Sequence, residues 1–392
     1  MKWPVVPLGE IVDFYSGGTP SKANSDYWSG SVPWFSAKDM KRDVLVDSAD
    51  HIADDVFTST SIKRLPRGTV AMVVRGMILA HTIPISILDA ECAINQDLKA
   101  LIPRRDVVPA FLAAMLRAQH GEILSQVSTA AHGTRKLDSR VLENLKVPLP
   151  PLSEQRRIAS ILDHADALRA KRRQAIVYLD ELSKSIFHHM FSMFEWQTRL
   201  DSIIAAGPTN GLYRPASDYG AGVPILRIDG FGSGAVLSDS YQWKRLRANE
   251  GEIEQYALAP GDLVVNRVNA LSHLGKSALI SDISEPSVYE SNMMRIRIDT
   301  NRANGDFVLA WLQTRRAKQQ ILRKAKKAIN QASINQADVK SLVLPLPPLE
   351  LQCRFAERVE AVRVERAASE RFSASADDLF YSLQSRAFRG EL

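Results

Sequence analysis

The sequence predicts a mixed α/β (α+β) chain made by internal duplication, with two globular segments each followed by a long helix. Three observations carry this. A proline-rich hexapeptide occurs twice, 197 residues apart. Each copy opens a stretch of about forty residues without Pro or Gly, and β-branched runs separated by turn residues fill the segment before each copy.

The repeat is the firmest of the three. Val147-Pro148-Leu149-Pro150-Pro151-Leu152 recurs as Leu344-Pro345-Leu346-Pro347-Pro348-Leu349. The same offset aligns Gln155 with Gln352, Arg157 with Arg354, Ala159 with Ala356, Leu182 with Leu379 and Phe191 with Phe388, and upstream Leu137 with Ile334 and Leu145 with Leu342. With shifted offsets, Val32-Pro33-Trp34-Phe35 resembles Val223-Pro224-Ile225-Leu226, Arg75 after Gly68 parallels Arg267 after Gly261, Asn95 parallels Asn292, and Trp3 parallels Trp196. Solenoid repeats are far shorter, so this is a duplicated module.

Residues 1–147 read as the first globular segment. Strands are expected at Val70–Val74, Ile83–Leu88 and Leu98–Ile102, and a helix from Pro109 to about Val127, with Pro109 in its first turn. The run from Val70 to Leu88 is apolar but carries Arg75, His81 and Pro84, so it reads as core strands and not as a membrane span. Residues 193–344 repeat the plan, with strands at Leu263–Asn266, Ser277–Ile280 and Met294–Ile298 and a helix from Asp306 to about Lys327. Turn chemistry is dense at Gly17-Gly18-Thr19-Pro20 and from Gly230 to Gly234.

Residues 148–192 and 345–392 carry the long helices. Ser153 is positioned to cap the first. Its apolar seam runs through Ile158, Ile161, Leu168, Leu179, Leu182 and Ile186 at alternating three- and four-residue spacing, with Arg172 and His189 as polar interruptions. The second seam, through Phe355, Val359, Val362, Leu379 and Leu383, is poorer, with Ser369 in it. At about 1.5 Å per residue the first helix spans roughly 57 Å. Each stripe needs a partner. Pairing of the two helices is the economical solution, and packing of each on its own globular segment is the alternative.

Composition excludes several classes. A hydrophobic content of 45% and a charged content of 24% fit a globular chain of 392 residues, long enough for two or three domains. The net charge of +6 fits a phosphate-bearing partner without requiring one. Cys92 and Cys353 make neither a metal-ligand spacing nor a disulfide framework, and both read as small apolar fillers in a reducing compartment. The start has no apolar signal region, so the expected location is cytoplasmic. No phosphate loop, zinc spacing, methyltransferase motif or nuclease carboxylate pattern is visible, and His188 and His189 point to different sides of a helix.

Candidate chemistry lies in the basic segments. Between Ala310 and Ala337 there is no acid, while Arg315, Arg316, Lys318, Arg323, Lys324, Lys326 and Lys327 are followed by Asn330, Gln331, Asn335 and Gln336. Cations contact phosphates and amides can read adenine edges, so this tract combines positioning with readout. A solvated helix face is the plainer reading. The first half has a thinner version in Lys38, Arg75, Arg104 and Arg105, and in Thr134, Arg135 and Lys136 after His132-Gly133. Arg267, Asn269, His273 and Lys276, with Asn266, sit at strand–loop junctions of the second half.

These features resemble one family. The duplicated Pro-Leu-Pro-Pro-Leu before a long helix is similar to the central and C-terminal conserved regions of type I restriction–modification DNA-specificity subunits. Trp3-Pro4-Val5-Val6-Pro7-Leu8-Gly9-Glu10-Ile11, Val32 through Asp39, and Ala387-Phe388-Arg389-Gly390-Glu391-Leu392 resemble its opening, an early strand and its ending. The resemblance implies two target recognition domains, each reading half of a bipartite double-stranded DNA site, related by a pseudo-two-fold duplication. It implies that the two helices pair as an antiparallel coiled coil that spaces the half-sites. It further implies a non-catalytic chain that docks two adenine methyltransferase subunits using S-adenosylmethionine, and restriction/translocase subunits using ATP and Mg, in phage defence. All those cofactors belong to the partners. A single-chain nuclease or methyltransferase, and a protein–protein scaffold, are the competing readings.

Overall fold

The computed structural model describes residues 3–129, 133–232, 234–237, 243–329 and 331–392. The chain forms two compact units, one of residues 1–173 with 371–392, the other of residues 174–370. Each unit therefore holds one globular segment and one half of each long helix.

In the first unit a five-stranded sheet runs in the order Val12–Ser16, Leu98–Pro103, Thr69–Val73, Ile85–Leu88, Val44–Leu45. All neighbours are antiparallel except the last pair. Thr69–Val73 is central and wholly buried. This is why it reads as an unbroken apolar run and does not alternate. The helix Pro109–Ala118 begins at Pro109 and lays Leu112, Ala113, Met115 and Leu116 on the core. A second sheet places Val32–Phe35 between Asp50–Ile52 and Ala93–Ile94. Val5–Pro7 pairs with Lys146–Pro148, so the segment is closed where the long helix begins.

The second unit repeats this strand for strand. Its sheet runs Ile204–Asn210, Met293–Ile298, Asp262–Asn266, Ser277–Ile280, Ala235–Leu237, again with only the last pair parallel. The parallel pairing Ile225↔Val288 and Leu226↔Tyr289 matches Trp34↔Ala93 and Phe35↔Ile94, which bears out the match of Val223–Leu226 with Val32–Phe35. The helix expected from Asp306 to Lys327 is two helices, Gly305–Leu312 and Arg315–Lys324, because Thr314 caps the second by accepting from the amide of Ala317. The helix from Pro109 breaks likewise, at Gln119, before His120–Ser125.

Equivalent backbone bonds correct three weak sequence matches. Leu137 N donates to Val74 O as Ile334 N donates to Arg267 O, so Arg267 replaces Val74, and Arg75 has Val268 in its place. Asn95 N bonds Phe35 O as Glu290 N bonds Leu226 O, so Asn95 corresponds to Glu290 and not to Asn292. Trp196, opposite Pro345 beside a bulge, takes the place of Val5 opposite Pro148, and Trp3 is not its counterpart.

The long helices are Leu152–Phe191 and Leu349–Arg389. Ser153 lies inside the first turn, one residue past the start, and does not cap it. Within the first unit Arg169 meets Asp377 and Arg172 meets Phe372; within the second Asp180 meets Arg366 and Phe187 meets Phe355. In both units the first helix rises in number as the second falls, so the pairing is antiparallel. The alternative packing is present as well. Ile158, Ala159, Leu162 and Ala387 pack on Phe111, and Phe187, Phe191, Phe355 and Val359 join the core of the second globular segment around Phe307 and Trp311.

The seam follows the expected residues except near Leu168, Leu182 and Leu379, where it lies one residue further on. Ile158, Phe355 and Val359 are buried, and Ile161, Leu179, Ile186, Val362 and Leu383 are half-buried, but Leu168, Leu182 and Leu379 are exposed. Arg169 occupies the seam beside Leu168, its guanidinium over the ring of Phe380 at 4.2 Å. Its carbon stem packs like an apolar residue while its head is paired, so a count of apolar letters rotates the face. Cys92 is buried, and burial pushes its thiol up to about 12. Cys353, also expected as a filler, is exposed.

Candidate nucleic-acid interface

In the first unit the central strand Thr69–Val73 runs on into Val74 and Arg75, whose amides both donate to Asp97 O. Beyond it, the ribbon Ser128–Thr129 and Arg135–Lys136 folds back so that Arg75 lies opposite Lys136 and the amide of Gly76 donates to Arg135 O. Three short strands thus form a rim at one end of the sheet that gathers Arg75, Thr134, Arg135 and Lys136. Arg75 and Lys136 are exposed, and Thr134 and Arg135 half-buried. Residues directly opposite across antiparallel strands share a face, and like charges there repel. Arg75 and Lys136 stand in that relation, and neither has a carboxylate partner among the described residues.

The second unit builds the same rim. Val268–Asn269 pairs with Ala332–Ser333, which pairs with Lys326–Lys327. Asn269, Lys326, Lys327 and Gln331 gather there, with His273 in the adjoining turn; Asn330 lies outside the described residues, as does His132 in the first unit. The helix Arg315–Lys324 feeds this hairpin. It buries Ala317 and Ile321 and holds Gln320 in two hydrogen bonds to the backbone of Val343, leaving Arg315, Arg316, Lys318 and Arg323 exposed and Lys324 half-buried. Arg316 lies 4.4 Å over the ring of Trp196. Arg315 and Arg316 occupy the helix N-terminus, where the helix dipole disfavours cations. None of the cations on this helix or hairpin forms an ion pair among the described residues.

Other candidates are engaged elsewhere. Lys38 Nζ donates to Asp50 at 2.6 Å, and that bond raises its pKa. Arg104 donates to Asp13 and to Glu10 O. With the exposed Arg105 it lies at the far end of Leu98–Pro103, about 20 Å from the rim by strand rise. Lys276 donates to Ile228 O at 3.4 Å and lies over Phe231.

Arg267 lines a cavity of about 370 Å³ with Asn210, Met294, Asn335, Gln336 and Ala337. Its Nε, Asn210 Oδ1 and both amide atoms of Asn266 are buried without a hydrogen-bond partner among the described residues. Asn210 has no sequence signal, because it reaches the cavity from the distant strand Ile204–Asn210 and only register brings it beside Met294. Among the described residues no group of His, Cys, Asp or Glu could hold a metal ion, and no helix is long and apolar enough to cross a membrane.

The fold and its two equivalent basic rims define a duplicated recognition module carried on paired helices. The model of the type I restriction modification DNA specificity domain matches residues 1–177 and again 212–367, and the chain belongs to that family. It is a specificity subunit, a non-catalytic member of its system with two DNA recognition modules. It is 36% identical over 162 residues to the type I restriction enzyme EcoR124I/EcoR124II specificity subunit of Escherichia coli, an alignment covering 41% of this chain and 40% of that one. It is 25% identical over 335 residues to the EcoKI specificity subunit of Escherichia coli (strain K12), covering 78% and 70%. The type I restriction-modification system S subunit from M. genitalium shares the fold with a TM-score of 0.59 at 13% identity, over 99% of this chain and 96% of that one. A chain from work on complex assembly and conformational transition of the type I R-M system does so with a TM-score of 0.61 at 17% identity, over 100% and 98%.

Proposed function

We propose that each module meets double-stranded DNA through its basic rim, so that the two together read a bipartite site. The observation that carries this is the cross-strand pair Arg75 and Lys136, two exposed cations held face to face without a carboxylate partner among the described residues. Such a pair is unfavourable alone and becomes favourable when a phosphate lies over it. Arg135 and Thr134 in the first module, and Lys326, Lys327, Gln331, Asn269 and His273 in the second, extend the same surface. The helix Arg315–Lys324 supplies further phosphate contacts through Arg315, Arg316, Lys318, Arg323 and Lys324. Arg267 reads or positions from the cavity beside it. Lys38, Arg104, Arg105 and Lys276 contribute less, three of them being already engaged within the chain and Arg105 lying away from the rim.

In this reading residues 1–147 and 193–344 are the target recognition domains. Residues 148–192 and 345–392 set the distance between half-sites and dock two methyltransferase subunits. S-adenosylmethionine, ATP and Mg act on the partner subunits, the restriction/translocase subunits among them, and the complex works in the cytoplasm. The test is modified-base sequencing of host DNA after co-expression with the cognate methyltransferase, against the methyltransferase alone. Methyladenine at a two-part motif with a fixed gap, present only with this chain, is the expected result. No new methylation from a soluble complex overturns the reading.

A further inference from the structure

Both rims end in apolar side chains that the described residues of their own unit leave exposed. The turn Met77–Ala80 follows Arg75 after Gly76; it buries Leu79 but leaves Met77 65% and Ile78 42% exposed. In the second unit the strand Val268–Asn269 runs into a turn where Leu271 is 41% exposed. Opposite it, Ala328 N donates to Gln331 O at 2.7 Å, which puts Ile329 at the hairpin tip, fully exposed. The two turns differ in length by one residue, Val73 N bonding Pro84 O as Asn266 N bonds Lys276 O, and the paired amide bonds to Ile78 O and to Ala270 O make Ile78 equivalent to Ala270, with Leu271 one residue further on. The two turns have diverged in sequence and length, and each presents an exposed apolar residue beside its rim.

Isolated apolar residues on a surface are ordinary, but these stand among Arg75, Arg135 and Lys136 in one unit and Lys326, Lys327 and His273 in the other. A protein partner for such a patch would have to set carboxylates and an apolar socket side by side. Duplex DNA offers that combination along its whole length, with phosphates at the groove edge and the apolar faces of the bases within. Cations on phosphates would hold the rim at the groove, and an apolar tip can then gain only by leaving water against base faces.

Resting on the DNA reading above, we propose that these tips are wedges. Met77 and Ile78 in the first module, and Leu271 with Ile329 in the second, enter the groove and part a base step, bending the duplex at each half-site. Pyrimidine–purine steps part most easily. A wedge therefore selects such a step without a hydrogen bond to it, which adds a shape-read position to each half-sequence.

The experiment uses the full chain in complex with its methyltransferase, on a duplex carrying the two-part motif found by methylation sequencing. End-to-end energy transfer reports bending, and permanganate reactivity reports unstacked thymines. The variants are Met77→Ser with Ile78→Ser, and Leu271→Ser with Ile329→Ser, all at exposed positions. Wild type is expected to shorten the end-to-end distance. Each double variant is expected to lose part of the bend and the thymine reactivity of its own half-site only, with binding weakened about tenfold or more. Unstacking caused by base flipping in the methyltransferase persists in both variants and serves as an internal reference. A straight duplex with wild type, or an unchanged bend in both variants, overturns the wedge. Loss of methyltransferase from the complex in place of loss of bend assigns the patch to a protein and overturns it equally. Absence of any two-part motif with wild type fails the DNA reading itself, before the variants are compared.

Discussion

Arg169 donates from Nε to Asp377 at 2.6 Å, and 197 residues along the chain the exchanged pair, Arg366 donating to Asp180 at 2.8 Å, repeats the bond. Opposite charges at these positions satisfy each other only when the helices run antiparallel, so the pair specifies direction as well as contact. The two bonds differ in setting. Arg169 is 11% exposed, also holds Asp166 and is stacked on Phe380, while Arg366 is 39% exposed. Arg169→Ala is expected to cost about 2–3 kcal/mol, because it strands a carboxylate and removes ring packing. Arg366→Ala should cost less than about 1 kcal/mol, as exposed pairs do. Urea unfolding of the full chain checks this, and equal losses would refute the distinction.

Gln155 and Gln352 make the same three hydrogen bonds in the two units. Each accepts an amide at the start of a globular-segment helix, from Val108 or Asn304. Each donates to two carbonyls, Asp106 O and Pro150 O in one unit, Arg302 O and Pro347 O in the other. Both are essentially inaccessible. Replacing either with Ala orphans buried backbone groups and is expected to cost about 2–4 kcal/mol. The losses should add in the double variant, since the two sites share no partner. Gln352→Glu gives a signed pH effect. Only the protonated acid can donate to a carbonyl, so its folded pKa is raised. The variant is most stable below the unfolded value of about 4.3 and loses stability as pH rises through that value to the folded one. A pH-independent variant would place the amide's donors elsewhere.

These glutamines also mark what the sequence could reveal. The 197-residue offset aligned them, and the proline turns they brace, without any structural knowledge. Buried central strands were legible from β-branched runs such as Thr69–Val73. Helix faces were less so, because Arg169 in the seam and Leu168 outside it invert the usual code. The rims were legible only in part. Their cations stand out in the sequence, but the pairing of Arg75 with Lys136 depends on a long-range register, and so does the cavity shared by Asn210 and Arg267. Lys38 and Arg104 were indistinguishable from free cations until Asp50 and Asp13 were placed beside them.

That sorting of cations predicts a contrast in salt dependence. Lys324→Glu with Lys327→Glu removes two cations at the second rim that form no ion pair among the described residues. It should weaken DNA binding and flatten the slope of log K against log salt by roughly 2, at about 0.9 per phosphate contact. Arg104→Ala, at the far end of the other sheet and already paired, should leave the slope unchanged. Titrations of the assembled complex over a salt series measure both. Equal effects would remove the rim from the DNA surface.

The helices give the last prediction. Removing residues 173–179 and 370–376, one heptad from each helix at the 197-residue offset, preserves the seven-residue phase of the seam. It shortens each helix by about 10.5 Å. If the helices set the gap, the methylated motif should lose about three base pairs between its halves, at about 3.4 Å each, and keep both half-sequences. The change also tests how rigidly the gap is read. Three base pairs turn the duplex by roughly 100° at about 10.5 per turn, whereas a heptad turns a helix by only about 20° relative to its seam. The shortened complex must therefore twist its DNA or its modules to engage both halves, and methylation should be slower than wild type. An unchanged gap would mean that the half-sites are positioned by the globular modules, and changed half-sequences would mean that the helices take part in reading them.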